Sequence, residues 1–500
     1  KELAFVREQR GKGERFIESR LSVSLLAPQE RLIEEEHTLK SLFRSKRWDI
    51  QSERYLQLQT YLSTFPMMWG EGMNRDLGYH RRLKTTLTSE AANLLPIQGE
   101  WKGNAREGMM LIGRRGQVFV WNPFSVESGN YNVSVVGRSG SGKSVFMQEL
   151  VTMALGSGAQ VFIIDVGRSF EKTVKLLGGT YLEFTPHSPL CLNPFSHLKG
   201  SMGQEGQDLP QDFLSLLKPI VSLMAAPQDG TNDAENALIE RAILDAWHVR
   251  GRDAGMDTVI ACLKEIQDPL SQNLANKLFP YSSRGTYGRY FNGKANVDLT
   301  SSMVVVELEE LKDRKDLQSV ILQVMILQIT HQLYLGNRQR ATYLVLDEAW
   351  DLLRARQAGV FIETAARRFR KYKGSLVVGT QSVHDFYASP GAQAAFDNSD
   401  WLCMLSQKKE SIEQLKKSDR LVVDPGMEEM LNSLKTESGA YAEVMIRGAH
   451  GYAIGRLVLD PFSNKLYTTK ADEFAAIQHR VEGGQTLLEA LEDLSRERAA

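Results

Sequence analysis

Gly137-Arg138-Ser139-Gly140-Ser141-Gly142-Lys143-Ser144 reads GRSGSGKS and matches the pattern GxxxxGK[ST] in full. At average composition such a match arises by chance about 0.02 times in a chain of this length. Its neighbours agree with it: the apolar run Val133–Val136 precedes it and the helix-patterned run Val145–Leu155 follows. Glycines let the backbone curl so that several N–H groups point into one anion site, and the following helix adds its positive end. Lys143 carries a full charge to the β and γ phosphates, and the Ser144 hydroxyl is suited to ligate Mg²⁺. Gly137, Ser139, Gly140, Ser141, Gly142, Lys143, Ser144 and Val145 are therefore the expected phosphate-binding residues.

Outward from this loop, further short apolar runs recur: Val161–Ile164, Met303–Val306, Tyr343–Leu346, Leu376–Val378 and Leu402–Leu405. Continuous Val/Ile/Leu runs separated by helical patterns indicate strands buried on both faces of a mostly parallel sheet, an α/β fold. Met109–Ile112 and Gln117–Trp121 flank Gly113-Arg114-Arg115-Gly116 and read as a hairpin, and Ala440–Ile446 with Tyr452–Leu459 read as an antiparallel finish. A polar, helix-patterned segment over 198–293, containing Glu235–Trp247, reads as a mainly helical insertion.

Tyr343-Leu344-Val345-Leu346-Asp347-Glu348 ends a buried strand in two acids. With a phosphate loop upstream, such a strand end emerges beside it at the carboxyl edge of the sheet. Asp347 is suited to hold Mg²⁺, and Glu348 to orient and deprotonate an attacking water. Gln381 ends the strand Leu376–Thr380, where a neutral amide can sense the γ-phosphate or that water; a strand-end turn residue is the plainer alternative. The run Arg367-Arg368-Phe369-Arg370-Lys371-Tyr372-Lys373 is either a solvated helix face or the source of an arginine that reaches a neighbouring subunit's nucleotide. Asp165 ends a strand and reads first as a local cap for the Ser169 helix, with a place behind the site residues as the alternative. Arg284, Arg289, Arg44–Arg47 and His80–Lys84 read as loop or solvated surface, and His384 finds no Ser/His/Asp or Cys/His set to join.

The whole-chain numbers bound these readings. Five hundred residues suggest roughly three domains. A hydrophobic content of 42% with 24% charged residues is ordinary for a globular protein and excludes disordered or collagenous classes. Sixty basic and 61 acidic residues leave a formal charge of −1, which disfavours a strongly basic DNA-coating protein but leaves room for a local basic channel. Cys191, Cys262 and Cys403 are far apart and odd in number, which suggests neither a zinc site nor a disulfide framework and fits a reducing cytoplasm. Leu317–Asn337 lacks Asp, Glu, Lys and Arg, yet its glutamines and His331 mark it as a core helix rather than a membrane span.

Residues 1–95 read as a small α/β unit with a strand at Arg20–Ala27, helices at Glu30–Phe43, Glu53–Thr64 and Thr88–Leu95, a loop around Pro66–Trp69 and the Gly/Asn-rich stretch after it, and a stop at Pro96. The tail carries two helices broken at Gly483-Gly484, the second with the stripe Leu487, Leu488, Leu491 and Leu494. The expected organisation is 1–95 as the C-terminal part of an N-terminal domain, 96–197 and 294–470 as two parts of one ATPase core, 198–293 as the insertion, and 471–500 as C-terminal helices. Residue 1 is Lys, so the sequence is expected to begin partway through a longer protein.

The phosphate loop, Leu344–Trp350 (LVLDEAW) and Arg370–Phe386 (RKYKGSLVVGTQSVHDF) together resemble the TraC-type conjugative-transfer ATPases of the VirB class, which energise type IV secretion systems. Leu192-Asn193-Pro194-Phe195 and Trp121-Asn122-Pro123-Phe124 add to the resemblance, which runs from about residue 90 to 470 and more loosely before that. It implies a RecA-like P-loop NTPase core related to HerA and FtsK, hydrolysing ATP with Mg²⁺ as a homo-hexamer with sites between subunits. It further implies a cytoplasmic protein, peripheral on the bacterial inner membrane, that serves pilus biogenesis and substrate transfer. The partners implied are other type IV secretion inner-membrane components and the coupling protein, with pilin as a candidate and DNA contact left open. In that group an arginine before the glutamine strand acts as the finger; Arg370 occupies that place and Arg367 is the near alternative. Two rivals share the motifs: a DNA-pumping coupling protein or FtsK/HerA-like translocase, and a silent scaffold that binds nucleotide for assembly alone. Near-neutral charge weakly favours the secretion ATPase over the pump, and the intact Lys143, Asp347 and Glu348 argue against the scaffold.

Overall fold

The computed structural model describes residues 2–11, 13–45, 47–65, 68–95, 99–185, 188–197, 209, 211–335, 340–348, 358–387, 390–417, 424–449 and 451–496. Pro66, Met67, Pro96, the 198–208 start of the expected insertion, Asn337, Ala349 and Trp350 lie outside them. The chain divides into two compact units, one ending at Gly99 and the other beginning at Glu100.

In the first unit, β1 (Phe16–Ser19) pairs antiparallel with β2 (Lys84–Leu87), Phe16 opposite Leu87. Helices run over Glu2–Gly11, Leu32–Ser45, Gln57–Leu62, Glu71–Tyr79 and Thr88–Leu94. The strand expected at Arg20–Ala27 forms no ladder, because β2 pairs with the residues just before it. Apolar alternation marks an extended segment but does not choose its hydrogen-bonded neighbour. The expected loop after Trp69 is instead the helix Glu71–Tyr79. Its Gly72, Asn74 and Gly78 are poor helix formers, yet the helix fully buries Leu77, and tertiary burial overrides propensity there.

The second unit is built on a sheet that contains twelve strands among the described residues. In chain order they are β3 (Met109–Gly113), β4 (Val118–Trp121), β5 (Val133–Val136), β6 (Gln160–Asp165), β7 (Thr180–Glu183), β8 (Met303–Glu307), β9 (Thr342–Asp347), β10 (Gly374–Thr380), β11 (Trp401–Met404), β12 (Thr436–Glu437), β13 (Tyr441–Gly448) and β14 (Gly451–Leu457). The spatial order is β4-β3-β14-β13-β11-β5-β10-β9-β6-β8-β7, with β12 on β13. From β11 to β7 every neighbouring pair is parallel, and from β4 to β11 every pair is antiparallel. All six apolar runs noted in the sequence are strands of the parallel part, and the expected hairpin and antiparallel finish form the other part. The sequence reading passed over β7, a short strand of mixed burial at the sheet edge.

Alternation along the parallel strands sends side chains to two cores, which is why these runs are apolar throughout. Val136, Phe162, Ile164, Val304, Val306, Leu344, Leu346, Leu376 and Val378 share one core with the helices Gln211–Ala225, Asp233–Arg250, Met256–Glu265 and Lys315–Leu335. Val133, Val135, Val161, Ile163, Met303, Val305, Val345 and Val377 share the other with Phe146, Met147, Leu150 and Val151 of the helix Lys143–Gly156. The charge-free segment from Leu317 lies in the helix Lys315–Leu335, whose Leu322, Met325, Ile326 and Ile329 are fully buried. Gln318 and Gln328 there donate to the Leu308 and Leu192 carbonyls. Among the described residues no helix is long and apolar enough to cross a membrane.

The tail forms the helices Pro461–Tyr467, Ala471–Glu482 and Leu487–Arg496. Leu491 is fully buried against Leu466, Tyr467 and Ile477, with Leu487 and Leu494 packed beside it. Leu488, expected in the same stripe, is exposed instead.

Candidate active site

Strand order decides what meets the phosphate loop. The loop leaves the carboxyl end of β5, and β10 lies between β5 and β9. Gln381 therefore leaves the sheet between the loop and the acid pair at the end of β9. The loop itself is tied down on both sides: Gly137 N–H donates to the Thr380 carbonyl at 3.1 Å and Arg138 N–H to the Ser406 carbonyl at 3.2 Å. Gly140 and Gly142 adopt φ of +75° and +90°, the left-handed conformation that the curl of such a loop requires.

Lys143 opens the helix Lys143–Gly156 and is buried; its Nζ hydrogen-bonds Asp347 Oδ1 and lies 3.7 Å from Glu348 Oε1. Glu348 has φ +54°, a conformation that costs a non-glycine residue about 1–2 kcal/mol. That turn brings its carboxylate within reach of Gln381, whose Nε2 donates to Glu348 Oε1 at 3.2 Å. Lys143, Asp347, Glu348 and Gln381 thus converge at one sheet edge. Asp347 Oδ2 and Ser141 Oγ are buried there without a protein partner. Ser144 is half-buried, and Val145, also half-buried, packs against the tail helices. A hydroxyl beside Lys143 and a carboxylate with one unpartnered oxygen fit a hard divalent cation such as Mg²⁺, which takes oxygen ligands.

Asp347 is one of a row of acids. In register across the sheet, Asp347 on β9 faces Asp165 on β6, which faces Glu307 on β8, which faces Glu183 on β7. Asp165 Oδ2 accepts from the N–H groups of Ser169 at 2.6 Å and Phe170 at 3.3 Å, so it closes the turn into the next helix, and its Oδ1 is buried without a partner. Burial holds the Asp165 carboxyl well above the ordinary carboxylate range, and Asp347 and Glu307 push it further. Burial also raises Glu307, against the N–H groups of Glu309, Gly167 and Arg168 that it accepts.

Arg367 and Arg370 are not part of this cluster. Their helix, Ala358–Lys371, runs into the start of β10, whereas Gln381 follows its end. Seven strand residues separate the two edges by roughly 20 Å. Arg370 donates to the Ser128 carbonyl at 2.5 Å, and Arg367 pairs with Glu363 at 2.5 Å; both are exposed. Arg284 is exposed, Arg289 lies over the Tyr290 ring at 5.7 Å, and His384 is exposed.

The sequence reading missed two positions that build the site. Gly379 sits opposite Asp347 in the β9–β10 register, and a Cβ there would lie 2.5 Å from Met147 Sδ and 3.0 Å from Asp347 Oδ1. A glycine inside an otherwise branched strand was the available signal. Thr436 Oγ1 donates to the Ser141 carbonyl at 2.9 Å, and no local pattern announces that contact. Asn193, one of the residues that carry the family resemblance, is more than a local turn. Its Oδ1 does accept from Phe195 N–H, as Asn122 Oδ1 does from Phe124 N–H, but its buried Nδ2 also binds the carbonyls of Ala254 and Gly293.

The family model described as the TraG P-loop domain matches residues 124–262 and 263–498, and the one described as TraC protein matches residues 1–69. The chain is 26% identical to Protein TraC of Escherichia coli (strain K12) over 489 residues, 93% of this chain and 54% of that protein. It is 23% identical to the type IV secretion system protein CagE of Helicobacter pylori over 292 residues, 51% of this chain and 28% of that protein. The chain therefore spans about half the length of the first of these relatives and less of the second. The solved structure of VirB4 from Thermoanaerobacter pseudethanolicus superposes with a TM-score of 0.60 at 20% identity, over 73% of this chain and all of that one, and shows the same fold.

Proposed function

Because the chain belongs to the TraG P-loop domain family, we propose that it is an ATP-hydrolysing motor of a type IV secretion or conjugation system, energising pilus biogenesis and substrate transfer. The observation that carries this reading is the convergence of Lys143, Asp347, Glu348 and Gln381 on one sheet edge beside a phosphate loop. The N–H groups of Gly137–Ser144 would receive the phosphate oxygens, with Lys143 moving its charge from Asp347 to the β and γ phosphates. Ser144 and Asp347 would hold Mg²⁺, which when bound neutralises charge between those phosphates. Glu348 orients and accepts a proton from water, and Gln381 fixes the Glu348 carboxylate through Oε1. Arg370, remote from its own chain's site, serves as the finger for a neighbouring subunit's nucleotide in a homo-hexamer, with Arg367 as the alternative.

The name of the CagE relative, a type IV secretion system protein, supports secretion as the setting. Inner-membrane secretion components, a coupling protein and pilin belong to the same proposal as partners, as does a peripheral position on the cytoplasmic face of the inner membrane. The division into an N-terminal domain, a two-part core, a helical insertion at 198–293 and tail helices is part of it too.

Purified chain assayed for ATP turnover with and without DNA, alongside its mass in solution, tests the reading. The expected result is Mg²⁺-dependent turnover by an assembly of several subunits, with DNA having little effect. No turnover in the assembled protein would return the silent scaffold. Turnover accelerated by DNA, with salt-sensitive DNA affinity, would establish the pumping motor in its place.

A further inference from the structure

Thr436 lies 295 residues beyond Ser141 in the chain, yet its hydroxyl donates to the Ser141 carbonyl at 2.9 Å. Ser141, buried, and Gly142, half-buried, immediately precede Lys143 in the phosphate loop. At Gly142 the same ribbon presses close: a Cβ there would lie 2.8 Å from Ala442 Cβ and 4.0 Å from Thr436 Cγ2. Thr436 and Ala442 are themselves register partners in the β12–β13 ribbon. The antiparallel end of the sheet therefore supports the loop by one hydrogen bond and by direct packing.

The ribbon is anchored from behind. Glu443 is buried and accepts from Arg114 Nη2 at 2.6 Å, Arg114 Nε at 3.0 Å and Arg456 Nε at 3.1 Å. It also accepts the Lys435 N–H at 3.0 Å, while its own N–H donates to the Lys435 carbonyl at 3.0 Å. Burial raises the Glu443 carboxyl, but these donors overcome it and bring the group below the ordinary carboxylate range. Arg114, from the β3–β4 turn, adds bonds to the Ser433 hydroxyl and carbonyl. Immediately before Thr436, Lys435 is thus held by Glu443 at both its N–H and its carbonyl.

We propose that Thr436 is a positioning residue for the nucleotide site: it fixes the Ser141 carbonyl, and with it the peptide plane that aims the Gly142 N–H at the phosphates. The inference rests on the nucleotide reading of the loop. A carbonyl held from outside cannot turn inward, where its lone pairs would repel the phosphate oxygens.

The test compares wild type, Thr436→Val and Thr436→Ser in the full chain, by titration with a fluorescent ATP analogue, by steady-state turnover and by thermal melting. Valine keeps the shape and removes the donor; serine keeps the donor. Losing one hydrogen bond of ordinary strength should weaken analogue binding about threefold to tenfold in Thr436→Val. KM should rise by that factor and kcat should fall by less. Thr436→Ser should recover most of the affinity. Equal affinities for wild type and Thr436→Val overturn the inference while leaving the nucleotide reading intact, and so does a loss of affinity that serine fails to rescue. Failure of wild type to bind the analogue overturns both. If Thr436→Val does not fold, Thr436→Ala takes its place against the same serine comparison.

Discussion

Lys143 and Asp347, 204 residues apart in the chain, form a buried ion pair at the carboxyl edge of the sheet. The pair means that the cation proposed to bind phosphate is held by the acid proposed for Mg²⁺. Were Lys143 exposed, Lys143→Ala would carry no structural cost. Buried, the substitution leaves an uncompensated carboxylate, a loss of about 3–5 kcal/mol in comparable cases. Lys143→Ala should abolish nucleotide binding and also lower the melting temperature. Adding Asp347→Asn should recover part of the melting temperature but no binding. Unchanged melting in the single variant would show that the pair contributes nothing to stability.

Glu348 reaches Gln381 only through a left-handed backbone turn. Glu348→Gln keeps the shape and removes the base, so ATP should still bind while turnover falls by roughly 10²–10⁴-fold. Wild-type turnover in that variant would remove Glu348 from the role of water activator.

Gly379 leaves no room for a side chain between Met147 and Asp347. Gly379→Ala should destabilise the chain by about 1–3 kcal/mol, as overpacking does. Because the crowding also falls on Asp347 Oδ1, Mg²⁺-dependent turnover should drop more than the loss of folded protein explains. Urea unfolding together with a Mg²⁺ titration of activity separates the two effects.

Arg370 faces away from its own site, at the far end of β10. If it acts in trans, mixing Arg370→Ala subunits with Lys143→Ala subunits should restore part of the activity that each lacks alone, because some interfaces then pair an intact loop with an intact arginine. A mixture no more active than its components would count against the assignment, and the same experiment with Arg367→Ala would then decide on the alternative.

Lys172 donates to the carbonyls of Lys465 and Thr468 at the end of the helix Pro461–Tyr467, and burial brings its amine down to about 8. The unfolded chain holds that proton up to about 10.5, so between these values the unfolded state binds more protons and folding strengthens as pH rises. Below pH 8 the cost of the buried charge is present in full. The melting difference between wild type and Lys172→Met should therefore shift in favour of wild type between pH 7 and pH 9.5. A pH-independent difference would refute the linkage.

The sequence by itself determined the phosphate loop, the acid pair and the parallel sheet, because each is local. GRSGSGKS dictates its own curl, and a run such as Leu344-Val345-Leu346 is apolar on both faces only where both faces are covered. The family resemblance read from Leu344–Trp350 and Arg370–Phe386 agrees with the matched family. Only the tertiary structure decided which segments meet. That β10 lies between β5 and β9 is what brings Gln381 to Glu348, and strand order is not written in any one strand. That Thr436 reaches Ser141, and that Gly379 makes room for Asp347, depends on pairings across long stretches of chain. The misplaced strand at Arg20–Ala27 has the same origin: side-chain pattern describes a surface, and the hydrogen-bonded neighbour that completes a strand comes from elsewhere in the fold.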